Sequence, residues 1–326
     1  MNPLIALVIL STLILASCSG GDAPSGLYAG GPGGLVLSFE PGAPPDRVYD
    51  QSETPMMMIL RVRNTGEYDV ENVQVRLSGI TSNDFDGFTS GPHEIEEIKG
   101  KALLQDQILP GDDVFLDLGT ARYTRSLQTA ELDFVLKATA CYGYATLATA
   151  SVCMSDNYYT DVSCDPNRAQ LSVSAAPVTI QNLKTSVAGT DLLRIEFEVS
   201  RSGQRIWAPY PAQSCTADRV SLAREADRVH VRVSDGFDGD TRITCSNLLV
   251  GDDDWEDGWI LSWDQFTRDP QRPTDAQGYV RLTEGVASVA CTLTVPPDTN
   301  GVSPIDITAT YVAETSTSKT ITVTRS

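Results

Sequence analysis

The chain is 326 residues long and carries 43 acidic against 24 lysine and arginine side chains, which gives a formal net charge of -19. A charge of this sign repels nucleic acid and anionic lipid headgroups, so we expect no nucleic-acid partner. After a leader and a linker about 290 residues remain, which is enough for two domains of ordinary size.

The N-terminus begins with an apolar run free of charge, from Pro3 to Ala16, that ends in Leu15-Ala16-Ser17-Cys18. The run is too short to span a bilayer and precedes small residues, as in a secretory signal peptide. Leu-Ala-Ser-Cys resembles a lipobox, the prokaryotic signature in which the cysteine thiol is lipidated and becomes the new N-terminus. We therefore expect a signal peptide over residues 1–17 and an extracytoplasmic protein anchored to the membrane by lipid at Cys18. A plain cleaved signal or an uncleaved anchor is the alternative.

The next segment, residues 18–34, is rich in glycine, serine and proline. This composition is typical of a flexible tether, and we expect ordered structure to begin near Leu35.

Short segments of alternating apolar and polar residues recur along the rest of the chain, and long helical periods do not. The clearest are residues 73–77, 193–199, 229–233 and 321–323. Turn-forming sequences such as Pro110-Gly111-Asp112 lie between such segments. This pattern predicts an all-β fold of two immunoglobulin-like antiparallel β-sandwiches in tandem, residues 35–174 and 175–326.

Two groups of residues carry a resemblance to known families. Residues 61–66 (RVRNTG), 72–77 (NVQVRL) and 109–112 (LPGD) resemble the immunoglobulin-like modules of CARDB or NEW3 type found in prokaryotic surface proteins. Residues 141–146 (CYGYAT), 152–153 (VC), 176–178 (APV), 289–291 (VAC) and 305–307 (IDI) are similar to a group of uncharacterised two-domain archaeal surface lipoproteins. The resemblance implies a fold and a location, and it assigns no activity.

Six cysteines follow Cys18, an even number in an exported chain, where disulfides persist. They are Cys141, Cys153, Cys164, Cys215, Cys245 and Cys291. No Cys-x-x-Cys motif occurs and the two histidines lie far from any cysteine pair, so the spacing does not suit zinc. Three disulfides are the expected arrangement.

The faces of the predicted strands suggest how the six cysteines pair. Cys245 and Cys291 share faces with core residues and should bridge the two sheets of the second domain. Cys141 and Cys153 fall on an outward face and would meet if their segments form one hairpin. Cys164 and Cys215 would then join the domains, with free thiols or other pairings as the alternative.

Histidine-based hydrolytic chemistry has little support in this chain. His93-Glu94-Ile95-Glu96-Glu97 lacks the second histidine of the zinc-protease motif, and His230 alternates outward among arginines. Both histidines are therefore expected to be solvated side chains. No phosphate-binding glycine loop or nucleophile elbow occurs. A glycoside hydrolase needs only two carboxylates and stays an alternative.

The segment from Asp252 to Phe266 holds three of the four tryptophans, Trp255, Trp259 and Trp263. Their spacing of four would place them on one side of a short helix. The three tryptophans could stack on the rings of a surface glycan. The structural alternative is that they cover an open end of the hydrophobic core.

Calcium is a candidate ligand because several aspartates cluster in loops, although none matches the EF-hand spacing. The candidates are Asp235, Asp238, Asp240, Asp252 and Asp254, together with the Asp84-Phe85-Asp86-Gly87 turn. No other cofactor is expected.

The sequence as a whole predicts a cell-surface module, structural or protein-binding, without catalytic activity. Its expected partners are the membrane, through Cys18, and another surface protein or a surface glycan. A glycan- or calcium-dependent binding protein is the alternative.

Overall fold

The computed structural model describes residues 27–104, 107–160, 162–208, 215, 226–235, 242–248 and 275–326. No α-helix occurs among these residues, and the strands pair almost entirely antiparallel, which confirms the predicted all-β class. Residues 73–77, 193–199, 229–233 and 321–323, predicted from their alternation, all lie in strands.

Nineteen strands are described, numbered in chain order. They are β1 (Leu35–Phe39), β2 (Arg47–Tyr49), β3 (Met56–Asn64), β4 (Val70–Ser78), β5 (Phe85–Asp86), β6 (His93–Ile98), β7 (Ala102–Leu104), β8 (Gln107–Leu109), β9 (Asp113–Tyr123), β10 (Glu131–Ser155), β11 (Gln170–Val173), β12 (Val178–Val187), β13 (Leu192–Arg201), β14 (Arg205–Trp207), β15 (Arg228–Asp235), β16 (Arg242–Ser246), β17 (Ala276–Arg281), β18 (Val286–Thr294) and β19 (Asn300–Thr324).

The described strands form four sheets. Two have four strands each, in the orders β1-β3-β9-β5 and β12-β13-β18-β16. The largest follows the path β17-β15-β19-β10-β4-β6, with β11, β14 and β2 attached beside it, and β7 pairs only with β8. Buried side chains of the three large sheets belong to one continuous hydrophobic core, so the arrangement is sandwich-like.

A ribbon of two long strands, β10 and β19, runs through the middle of the largest sheet. The two strands pair antiparallel over 25 residues each, from Glu131 opposite Thr324 to Ser155 opposite Asn300. Along most of β10, buried side chains alternate with more accessible ones, as expected for strands with one face on a core. Since β10 precedes Ser174 and β19 follows it, strands from both predicted domains share this sheet, and the domain division stays a prediction.

The structure pairs all six described cysteines, and the predicted Cys245–Cys291 disulfide is present. It joins opposite residues of the adjacent strands β16 and β18, so the expectation that it bridges two sheets is wrong. The other bridges are Cys141–Cys215 and Cys153–Cys164, instead of Cys141–Cys153 and Cys164–Cys215.

The error in the pairing of Cys141 and Cys153 has a simple physical cause. Both side chains do lie on the face of β10 opposite the core residues Ala140 and Val152, although Cys153 is itself buried. The chain continues as one strand through Gly143 instead of turning there. At a rise of about 3.3 Å per residue, twelve residues of extended strand separate the two cysteines by roughly 40 Å. A disulfide between them is therefore excluded by distance.

Part of the predicted tether is held against the body of the protein. The Glu67 carboxylate accepts hydrogen bonds from the backbone N–H groups of Ala29 and Gly30, at 2.8 and 2.9 Å, and from that of Ala175 at 2.6 Å. The first strand begins at Leu35, in agreement with the predicted start of ordered structure. An acidic side chain distant in sequence also fixes part of the glycine-rich backbone before that strand.

Candidate interaction surface

Eight of the side chains singled out from the sequence lie outside the described residues, and so do the sites predicted for them. These are Cys18, Trp255, Trp259, Trp263, Asp238, Asp240, Asp252 and Asp254. The calcium candidate Asp235 is described, and it lies at the end of β15 with its side chain buried.

The Asp84-Phe85-Asp86-Gly87 turn, the other calcium candidate, places its carboxylates against cations of the protein. Asp84 lies 2.9 Å from Arg125 and accepts a hydrogen bond from the Thr81 hydroxyl, and Asp86 lies 3.1 Å from Arg122. Over the described ranges, no three or more histidine, cysteine or acidic side chains are grouped to hold a metal ion. Calcium binding stays a prediction.

The environment of His230 differs from the solvated one predicted from the sequence. It does lie on the outward face of β15, but its ring packs edge-on against Tyr279, with 5.1 Å between ring centroids, and lies beside Thr310. Burial, and secondarily the charge of Arg232, lowers the pKa of His230 to about 4. The ring is therefore neutral at physiological pH.

The outer face of the β1-β3-β9-β5 sheet carries the best-defined exposed cluster of the described chain. Two cross-strand rows lie side by side on it. One row is Ser38, Arg61 and Phe115, and the next is Val36, Arg63 and Asp113. We call these six residues the β1–β3–β9 face. Their strand neighbours Leu35, Leu37, Leu60 and Val62 point into the core, which holds the face on a rigid support.

Arg61 organises this face through two contacts. Its guanidinium binds the Asp113 carboxylate in a two-pronged geometry, with Nε 2.8 Å from Oδ1 and Nη2 2.5 Å from Oδ2. The same guanidinium lies over the Phe115 ring, with Cζ 5.7 Å from the centroid. Hydrogen bonding to Arg61 lowers the pKa of the Asp113 carboxyl, and Asp113 raises the pKa of Arg61. Both groups therefore stay charged over a wide pH range.

The Phe115 ring is 58% exposed and Val36 also faces solvent, although both are large apolar side chains. An apolar surface left in water costs free energy that a partner can recover by covering it. Aromatic and arginine side chains together are enriched at the energetic centres of protein interfaces. The face has the chemistry of a recognition surface.

Sequence reasoning missed this face, although a signal for it was present. In Asp113-Val114-Phe115-Leu116-Asp117 the phenylalanine alternates with Val114 and Leu116 and shares its side with two aspartates. That period of two places Phe115 outward. The stack with Arg61 could not be foreseen, because it depends on the register between β3 and β9.

An open groove lies at one end of the β4 and β6 strands. It is lined by hydroxyl groups, three apolar side chains and His93. The Nε2 atom of His93 is buried and makes no hydrogen bond among the described residues. The lining includes Thr81, Ser82, Phe88, Thr89, Ser90 and Pro92.

No protein-family model matches this chain, and no curated protein is significantly similar to it. Among the described residues no helix is both long and apolar enough to cross a membrane. Three disulfides indicate an oxidising, extracytoplasmic environment.

Proposed function

We propose that this protein is a lipid-anchored module of the cell surface that binds another surface protein and has no catalytic activity of its own. The observation that carries the proposal is the β1–β3–β9 face, where an exposed phenylalanine is stacked under an arginine that a carboxylate holds in place. The anchor is the lipid on Cys18, supported by the apolar leader before it and by the disulfides after it.

Preorganisation is the physical reason for choosing this face. An exposed arginine normally loses side-chain entropy when it binds, but Arg61 already has its guanidinium fixed by Asp113. The partner then covers Phe115 and Val36 and removes their apolar area from water. Removal of such an anchor from an interface typically costs about 2 kcal/mol or more in binding free energy.

The test is photo-crosslinking from the face itself. The purified protein, with benzoylphenylalanine in place of Phe115, is added to cells of the source organism that lack their own copy. Adducts are identified by mass spectrometry. We expect one discrete protein adduct. Its yield should fall at least about fivefold when Arg61→Ala is added, because a loss of about 1 kcal/mol or more in binding free energy lowers the occupancy of the complex by that factor.

The matched control carries the same crosslinker at Val135, which is exposed on a different sheet. Equal adducts from positions 115 and 135, or none from either, would contradict the proposal. A glycan-array signal that Trp259→Ala abolishes would instead favour the glycan-binding alternative.

A further inference from the structure

The positive charge of Arg63 on the β1–β3–β9 face is not paired within the described chain. Its neighbour Arg61 binds both oxygens of the Asp113 carboxylate through Nε and Nη2. Arg63 lies directly opposite Asp113 in the register of β3 with β9, but its side chain makes no ion pair or hydrogen bond with another described residue. The guanidinium of Arg63 is therefore free to bind an anion from outside the protein.

A shallow depression on the face lies next to this free guanidinium. It is lined by Val36, Ser38, Arg61 and Arg63, and its volume is about 70 Å³. A water molecule takes up roughly 30 Å³ in the liquid, so the depression has room for a group as small as a carboxylate. The planar fork of an arginine matches the two oxygens of a carboxylate, and the Ser38 hydroxyl can donate one more hydrogen bond. Size and donors together favour a carboxylate as the ligand.

The other charges near the face determine where an incoming anion is most stable. Glu40 and Asp117 lie in the row beyond Phe115, on the side away from Arg63. These carboxylates repel an anion at the Phe115 end of the face. Asp113 lies in the same row as Arg63, but its charge is already balanced by an ion pair. An anion is therefore most stable in the depression beside Arg63.

The exposed phenylalanine of the face lies one row away from that depression. Phe115 is 58% exposed, and a diagonal pair such as Arg63 and Phe115 is about 7 to 8 Å apart on adjacent antiparallel strands. Residues two positions apart in an extended segment have nearly this spacing, about 6.6 Å. A partner segment with an acidic and an apolar residue two positions apart can therefore fill the depression and cover the phenylalanine at once.

We propose that the surface protein bound by the β1–β3–β9 face presents an acidic side chain to Arg63 and, two residues away, an apolar side chain to Phe115. The inference rests on the proposed function and specifies the chemistry of its partner. The net charge of -19 adds specificity, because the acidic surface elsewhere repels such a partner. The partner segment is then stable only in the register that places its carboxylate beside Arg63.

Charge reversal at position 63 tests the sign of the charge on the partner. The protein with benzoylphenylalanine in place of Phe115 is prepared with Arg63→Gln, with Arg63→Glu and with neither. Each form is irradiated with cell envelopes of the source organism that lack the native copy. We expect the yield of the protein adduct to fall at least about fivefold with Arg63→Gln and further with Arg63→Glu, because the first change removes an attraction and the second adds a repulsion.

Arg122→Gln and Arg122→Glu are the matched controls, because Arg122 lies in β9 of the same sheet and is paired with Asp86 at 3.1 Å. They change the net charge by the same amounts and should change the yield by less than about twofold. Raising the salt from about 0.05 M to about 0.5 M should bring the yields of Arg63→Gln and Arg63→Glu closer together, since salt screens the repulsion.

Equal yields from the parent and Arg63→Gln would overturn the inference. So would a higher yield with Arg63→Glu, which would mean a basic group on the partner, or a difference between the two variants that salt does not reduce. In each of these cases the adduct itself would still support the proposed function. The absence of any protein adduct from position 115 would defeat the proposed function, and this inference with it.

Discussion

At the scale of single residues, His230 shows how a neighbouring strand changes the chemistry of an outward side chain. The alternation of apolar and polar residues in β15 correctly places His230 away from the core. Only the pairing of β15 with β17 brings Tyr279 against the His230 ring. Burial then disfavours the charged imidazole and lowers its pKa to about 4. The sequence reveals the side of the strand, but not what covers it.

Because the pKa of His230 is lowered in the folded protein, we predict that the free energy of unfolding decreases as the pH falls. Between the ordinary value of 6.5 and about 4, the unfolded chain binds a proton that the folded protein does not, so stability falls as the pH is lowered. The contribution lost from pH 6.5 to 5 is roughly 1 to 2 kcal/mol at most. His230→Gln should flatten the urea-unfolding free energy over this range.

Tyr279→Ser tests the cause of that shift, because it removes the ring that covers His230. The variant should show a smaller pH dependence than the parent while keeping the histidine. If His230→Gln and the parent lose stability equally between pH 6.5 and 5, the burial of His230 is not what the structure indicates.

At the scale of elements, the β10–β19 ribbon depends on tyrosines that reach across to other segments. Tyr311 is fully buried, and its hydroxyl oxygen accepts the Val178 backbone N–H at 3.1 Å and lies 3.1 Å from the Thr146 hydroxyl. The Tyr142 hydroxyl likewise accepts the Leu35 backbone N–H, and the Tyr144 hydroxyl donates to the Ala175 carbonyl. These hydrogen bonds fasten the start of β1 and the segment before β12 to the ribbon.

Tyr311→Phe keeps the ring and removes the hydroxyl, which leaves the buried Val178 N–H without its partner. We expect a loss of about 1 to 3 kcal/mol in the free energy of unfolding. Tyr159→Phe is the control, because Tyr159 is 72% exposed and should cost almost nothing. Denaturant titration measures both variants. Equal losses in the free energy of unfolding would show that the hydrogen bonds assigned to Tyr311 are wrong.

The disulfides differ in the length of chain they close, and this gives a second prediction at the scale of elements. Cys245 and Cys291 are 46 residues apart, and Cys153 and Cys164 only 11. The chain-entropy model gives about 4 and about 3 kcal/mol for these loops. Replacing the first pair by alanines should therefore cost roughly 1 kcal/mol more than replacing the second.

Thermal unfolding of the two double variants shows which cysteine pair costs more stability when it is replaced. Non-reducing peptide mapping of the parent protein checks the cysteine pairing itself. A fragment linking Cys141 to Cys153 would contradict the continuous strand β10. A costlier loss for the Cys153–Cys164 pair would show that the length of the closed loop does not control these stabilities.

At the scale of the whole molecule, the sequence predicts the strands far better than their partners. Alternation in residues 73–77 and 229–233 places β4 and β15 correctly, because a period of two depends only on which face is buried. Nothing local in Tyr142-Gly143-Tyr144 indicates that the strand continues and pairs with residues about Val312, more than 160 positions away. The interaction face was missed for the same reason, since Arg61 and Phe115 meet only through strand register.

We propose that a lipid on Cys18 holds the protein at the cell surface, and the mass of the mature N-terminal peptide tests this anchor. Mass spectrometry of protein purified from membranes should show a chain that begins at Cys18 and carries a lipid-sized addition on that residue. Cys18→Ser should lack the addition and leave the membrane fraction, because a serine hydroxyl cannot form the thioether. An unmodified Cys18, or a mature chain that begins elsewhere, would show that the protein is not anchored by a lipid on this residue.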